Sequence, residues 1–190
     1  AFKSGAISSF GFVSPVGLFY LFKLIGDSFG MTRPVTDPNI DGLGKHIAKG
    51  QDLDLSEISL TDKIAMAAGA VGAMGLNENM APLVVIAGHG ATSVNNPHAA
   101  GLHCGACGGH SGEINAMTAE IILNDPEVRS GLVLKGIFIP EDTYFVAAKH
   151  DTTTDEIQIM REQFIPQIHI EGVKNLKQTC TKASAGARLE

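Results

Sequence analysis

Two short apolar runs carry the fold prediction. Pro82-Leu83-Val84-Val85-Ile86-Ala87 contains no polar residue, and Thr143-Tyr144-Phe145-Val146-Ala147-Ala148 is nearly as uniform. Runs of this length without alternation suit strands buried on both faces of a parallel sheet. Each stops abruptly at polar residues: Gly88-His89-Gly90 after the first, and Lys149-His150-Asp151-Thr152-Thr153-Thr154-Asp155 after the second. Stretches of helical character lie around them. Ser59 offers an N-cap to a helix over Lys63–Met74, which is Ala-rich and closes at Gly75. A second helix is predicted over Glu113–Leu123. A short third begins at Asn124-Asp125-Pro126-Glu127, with Pro126 in a first turn where its missing N–H costs little. Ile157–Ile170 reads as a partly extended segment interrupted at Pro166, and Glu171–Leu189 as a last helix. Together these elements predict an α/β fold, a mostly parallel sheet flanked by helices.

The beginning of the chain has a different texture. Phe12, Val16, Phe19, Tyr20, Lys23 and Leu24 follow helical spacing within Phe10–Met31, with apolar residues on most of the surface. A helix ending near Gly30 is predicted there. Two roles are open for it, a core helix or a face that docks on a membrane or partner. Residues 32–58, with Pro34, Pro38, Gly42, Gly44 and Gly50, read as a loop-rich excursion.

Composition narrows the class. The 190 residues suit one domain or a piece of a larger one. A hydrophobic share of 44% excludes wholesale disorder. A net charge of −6 and a pI near 5.6 argue against coating nucleic acid. Mean hydropathy is mildly positive at +0.14, yet no stretch reaches the roughly 18 apolar residues of a membrane span. No basic-then-apolar leader is present either. The start at Ala1 and the finish inside a helical stretch suggest a piece of a longer protein. Three cysteines are too few and too uneven for a disulfide scaffold and suit a reducing compartment.

The candidate chemistry is concentrated between Ala91 and Gly112, a long loop rich in Gly, Asn, His and Cys. Functional groups in open α/β sheets gather at the carboxyl ends of strands, so His89 is informative by position alone. Downstream lies His103-Cys104-Gly105-Ala106-Cys107-Gly108-Gly109-His110. Zinc takes thiolate, imidazole and carboxylate donors. Four readings stay open on the residues: a structural zinc knuckle on Cys104 and Cys107, a dithiol redox centre, a catalytic zinc site, and cysteines that merely pack a Gly-rich turn. The redox reading is weakened by the absence of Trp and by the long loop that precedes the pair.

Several segments together resemble a known family. They are Gly88-His89-Gly90 through Asn95-Asn96-Pro97, Cys104-Gly105-Ala106-Cys107-Gly108-Gly109, Asn115-Ala116 and Asn124-Asp125-Pro126-Glu127-Val128-Arg129. Ile139-Pro140-Glu141-Asp142-Thr143-Tyr144-Phe145-Val146 and His150 with Thr152-Thr153-Thr154-Asp155-Glu156 belong to the same pattern. The chain resembles the carboxyl-terminal part of the DabA family, the zinc subunit of a two-component inorganic carbon accumulation system. The resemblance implies a β-carbonic-anhydrase-like fold, present here as a fragment of a larger domain spanning residues 1–190. It implies a zinc ion held by His89 and Cys104, with a Cys and an Asp from a Cys-x-Asp motif upstream. Cys107 is then a neighbour of the metal or a packing residue. No Cys-x-Asp occurs in this sequence, so the fragment alone is expected to be inactive and to bind zinc weakly or not at all.

For the intact protein the resemblance implies CO2 hydration to bicarbonate, coupled to uptake. The implied partner is a membrane-embedded, cation-translocating DabB-like subunit, and the implied location is peripheral, on the cytoplasmic face of the cell membrane. His150 is a candidate proton relay, because both predicted strands end near it. His98, His103 and His110 are weaker candidates for proton transfer. Asn95, Asn96 and Asn115 are expected to fix the loop through bonds to backbone.

Overall fold

Local chemistry sets the elements. The Ser59 hydroxyl accepts from the Asp62 N–H at 3.2 Å and starts a helix at Leu60, three residues before the predicted start. That helix closes on Gly75 at φ +67: Gly75 N–H donates to the Gly72 carbonyl and Leu76 N–H to the Val71 carbonyl, the pairing that ends a helix on a left-handed residue. The structure, a computed structural model, describes residues 17, 20–29, 31, 53–76, 79–93 and 98–188. It divides into two units, residues 1–50 and 51–190.

In the first unit residues 20–28 form helix α1. Its large apolar side chains are exposed, Phe22 by 77% and the adjoining Phe29 by 76%. The predicted start of the helix at Phe10, and most of the expected excursion, residues 32–52, lie outside the described residues.

The second unit runs α2 (Leu60–Ala73), β1 (Leu83–Gly90), α3 (Ala99–Leu102), α4 (Glu113–Asn124), α5 (Pro126–Val133), β2 (Tyr144–Asp151), β3 (Glu156–Ile159) and α6 (Ile170–Ala187). Two single 3-10 turns, Glu162–Phe164 and Gln167–His169, lead into α6. The partly extended segment expected there is thus a short strand followed by turns around Pro166. The sheet has the order β1-β2-β3. β1 and β2 are parallel, whereas β2 and β3 are antiparallel. The sheet is therefore mixed rather than mostly parallel. The cause is the connection: β3 follows β2 through the turn at residues 152–155, far shorter than any parallel crossover.

Both principal strands also extend past their apolar runs. β1 includes His89 and Gly90, and β2 includes His150 and Asp151. The ladder continues because Thr152 N–H donates to the Gly90 carbonyl at 2.8 Å; backbone pairing does not require apolar side chains. His89 and His150 therefore lie within the strands and not beyond them.

One face of the sheet carries the main core. Ala67 and Val71 of α2, Ile122 and Leu123 of α4, Val128 and Leu132 of α5, and Phe145 of β2 pack together there. The other face meets α6, where Val173 is buried and Gly172 lies against Leu83. The Asn124–Arg129 segment is a structural clamp. Asp125 caps α5 by accepting from Glu127 and Val128 N–H, and the Asn124 amide exchanges two hydrogen bonds with the Phe145 backbone. Arg129 donates at 2.8 Å to the carbonyls of both Leu123 and Thr143, tying α4 to the entry of β2.

Candidate functional site at the carboxyl ends of β1 and β2

Parallel pairing places His89 opposite His150 and Gly90 opposite Asp151. Paired residues share a face, so the two imidazoles lie side by side. They project from the face away from α4, because Gly88, the alternate residue, faces α4: a Cβ there would stand 2.2 Å from the Gly112 carbonyl oxygen. His150 Nε2 is 3.5 Å from Asp155 Oδ1. The pair is ionic only when His150 is protonated. Asp155, at φ +54 in the turn after β2, was not singled out by the sequence; only its place in the polar run hinted at it.

The cysteine loop is bonded to the same end of β1 by both of its limbs. Ala91 N–H donates to His103 Nδ1 at 3.3 Å, and Gly112 N–H donates to the His89 carbonyl at 2.8 Å. Between these anchors Cys104 and His110 form an isolated bridge. The expected open loop thus contains ordered structure, including α3; Asn95 and Asn96 lie outside the described residues. Tight turns close the loop: Cys107 and Gly109 N–H both donate to the Cys104 carbonyl, and Gly108 and Gly109 take positive φ.

Both thiols are unoxidised and partly buried. A hydrogen bond from the Cys107 thiol, reinforced by backbone N–H groups, holds Cys104 below the ordinary thiol range. The same bond pushes Cys107 above it. Asn115 donates to Cys107 Sγ at 3.1 Å, so it fixes the loop through sulfur and not through backbone. The two cysteines are thereby distinguished: one is predisposed to be a thiolate, the other to keep its proton.

A second polar cluster braces the strand tips. Asp151 is buried and accepts from Thr92 and Thr153, each through hydroxyl and N–H. Burial alone would raise its carboxyl; the four donors outweigh it and hold the carboxyl well below the usual carboxylate range. Thr152 adds a bond from its hydroxyl to the Leu102 carbonyl at 3.1 Å, joining the turn after β2 to α3. Asp151 was missed in the sequence because it looked like one more residue of a solvated run. A folded carboxyl held low contributes stability that is full above the unfolded value of about 4 and is lost as pH falls towards the folded one. Asp151→Asn is therefore expected to cost about 2 kcal/mol at pH 7. In urea titrations of the intact protein from pH 7 to pH 2, the gap between its curve and the parent's should begin to narrow below about pH 4.

His89 and Cys104 are thus brought to one end of the sheet. Among the described residues, however, no group of three or more His, Cys, Asp or Glu could hold a metal ion. His98 caps α3 without a side-chain bond to the helix, and His110 is exposed.

The fold and these strand tips define an α/β protein whose polar chemistry is gathered at the carboxyl end of a parallel strand pair. The whole chain, residues 1–190, matches the family described as "Probable inorganic carbon transporter subunit DabA". It is 50% identical over 198 residues to a protein of that description from Chloroflexus aurantiacus, covering 100% of this chain and 24% of the relative. A protein of the same description from a Roseiflexus strain and a "Probable inorganic carbon transporter subunit DabA 2" from a Bradyrhizobium strain are each 47% identical, with the same coverage of both chains. The chain belongs to the DabA family and spans about a quarter of the length of these relatives. No solved structure matches it. Among the described residues no helix is long and apolar enough to cross a membrane.

Proposed function

We propose that this chain is part of the zinc-binding subunit of an energy-coupled inorganic carbon uptake system. The intact subunit hydrates CO2 at a β-carbonic-anhydrase-like zinc site. His89 and Cys104 supply two ligands, and the remainder of the polypeptide supplies a Cys and an Asp. The observation that carries the reading is the anchoring of the cysteine loop to the tip of β1, beside His89, with Cys104 predisposed to be a thiolate. Imidazole nitrogen and thiolate are zinc donors. Two donors are half of a tetrahedral set. Zinc, when bound, supplies a water of lowered pKa as nucleophile.

The chain's own residues then have definite tasks. Cys107 donates its thiol hydrogen to the Cys104 sulfur, which favours the Cys104 thiolate, and Asn115 in turn fixes the Cys107 sulfur. His150 accepts a proton released at the site and passes it to solvent, with Asp155 Oδ1 3.5 Å from its Nε2. Asp151 keeps the strand tips and the threonine turn rigid. The partner is a membrane-embedded, cation-translocating DabB-like subunit, and the protein lies peripherally on the cytoplasmic face of the cell membrane. The exposed apolar face of α1 is a docking candidate in that assembly.

The test uses the full-length protein, expressed with its membrane partner in a strain that lacks its own carbonic anhydrase. Growth at ambient CO2 is expected with the parent and is expected to be abolished by His89→Ala. Growth of His89→Ala at the parental rate would reject the zinc reading.

A further inference from the structure

We propose that Cys104 and Cys107 form a reversible oxidation site, a pair that closes to a disulfide when the protein meets peroxide. Cys107 is a thiol with more chemistry than its place requires. It donates to the Cys104 sulfur and accepts from the Asn115 amide at 3.1 Å. A serine hydroxyl donates and accepts in the same way. What sulfur adds over oxygen here is the capacity to bond covalently to the neighbouring thiol.

The turn brings the two side chains within reach. Cys107 N–H donates to the Cys104 carbonyl at 3.1 Å, which makes residues 104–107 a β-turn. Such a turn holds its end Cα atoms within about 7 Å, and a disulfide spans about 4.4–6.8 Å between Cα atoms. The side chains face one another, because the thiol of one is bonded to the sulfur of the other. Both are unoxidised and partly buried, and Gly105 and Ala106 between them are exposed, which opens the turn to a small oxidant. The turn also has room to tighten. Among the described residues, nothing beyond the chain neighbours lies within 4 Å of a Cβ built on Gly105 or Gly108. Cys180, the third thiol, stands on α6 and shares no turn with either.

The bonds balance with peroxide as the co-reactant. The Cys104 sulfur attacks one oxygen of hydrogen peroxide. The O–O bond breaks, and the departing hydroxide takes up the thiol proton as water. The Cys107 sulfur then attacks the sulfur of the Cys104 sulfenic acid. The S–O bond breaks, and hydroxide leaves with the Cys107 proton as a second water. Two thiols lose two electrons and two protons, and one peroxide becomes two waters. The new bond closes only residues 104–107, so it constrains the unfolded chain little, and a small thiol reduces it again. Transient disulfides of this kind are the ones found in reducing compartments. The consequence for the metal rests on the zinc reading: a Cys104 sulfur tied to Cys107 is no longer a thiolate donor, so oxidation empties the site until the pair is reduced. The oxidation itself does not depend on that reading.

The test titrates hydrogen peroxide into the full-length protein, isolated without oxygen. Free thiols are capped with iodoacetamide, peptides are weighed by mass spectrometry, and zinc release is followed in parallel. A peptide with Cys104 joined to Cys107, lighter by two hydrogens, is expected, and dithiothreitol should restore both thiols. At the dose that closes about half of the pairs, capping of Cys180 is expected to stay within about 10% of its untreated level. In Cys107→Ser at that dose, Cys104 should stop at the sulfenic acid and be labelled by dimedone. Cys104 and Cys107 still capped once Cys180 is oxidised would overturn the proposal, as would a disulfide from either to any other cysteine. A disulfide formed in protein isolated without zinc would uphold the oxidation site and count against the zinc reading. Zinc released while both thiols stay free would reject the oxidation site and leave the zinc reading standing.

Discussion

Cys104→Ser in the full-length protein is expected to lower zinc affinity by at least about 100-fold, while Cys107→Ser leaves most of it intact. The two thiols lie three positions apart in one turn, yet the structure makes them unequal. Cys104 receives the Cys107 thiol hydrogen and backbone N–H groups, all of which favour its thiolate. Cys107 donates that hydrogen, and its own ionisation is disfavoured as a result. A serine at 107 keeps a hydroxyl donor for Cys104 and also keeps a partner for Asn115. A serine at 104 removes the soft, ionisable donor altogether. Chelator competition followed by metal analysis reads the difference directly. Equal losses from the two variants would instead support a CxxC zinc knuckle or dithiol centre, the main rival to the catalytic reading. Zinc content unchanged by Cys104→Ser would reject both.

Gly88→Ala is the second large effect expected, about 3 kcal/mol of destabilisation. The added Cβ would stand 2.2 Å from the Gly112 oxygen and 2.4 Å from its carbonyl carbon, both backbone atoms that cannot rotate aside. The start of α4 must move, and with it the Gly112 N–H bond to the His89 carbonyl that anchors the cysteine loop. Melting of the intact protein should show a clear drop, and Cys107 should react faster with iodoacetamide as Asn115 shifts on α4. Gly72→Ala is the internal control. Nothing lies within 4 Å of its added Cβ, and it sits inside α2, so the same chemical change should stabilise by up to about 1 kcal/mol. A Gly88→Ala protein as stable as the parent would show that β1 and α4 do not approach as closely as described.

Much of the architecture could be read from local signals. The Ser59 cap, the Gly75 stop, the helix at Glu113, the Pro126 start and both strands are each determined by residues within a few positions of one another. What failed was what depends on distant partners. The antiparallel β3 could not be read from Glu156–Ile159 alone, because a four-residue strand has little pattern of its own. The extension of β1 and β2 through His89 and His150 is hidden in the sequence because polar side chains do not show that backbone pairing continues. Asp151 looked solvated until Thr92, from a loop 59 positions earlier, closed over it.

The same division holds for the site. The sequence by itself determined which donors exist: an imidazole at a strand tip, two thiols in a Gly-rich turn, and a family resemblance that implies His89 and Cys104 as ligands. Residue identity is chemistry, and it needs no fold to be read. Only the tertiary structure decided which thiol is the better thiolate, and that His150 stands beside His89 and within reach of Asp155. Those properties arise from pairing register, hydrogen-bond direction and burial, which exist only when segments far apart in the chain are brought together.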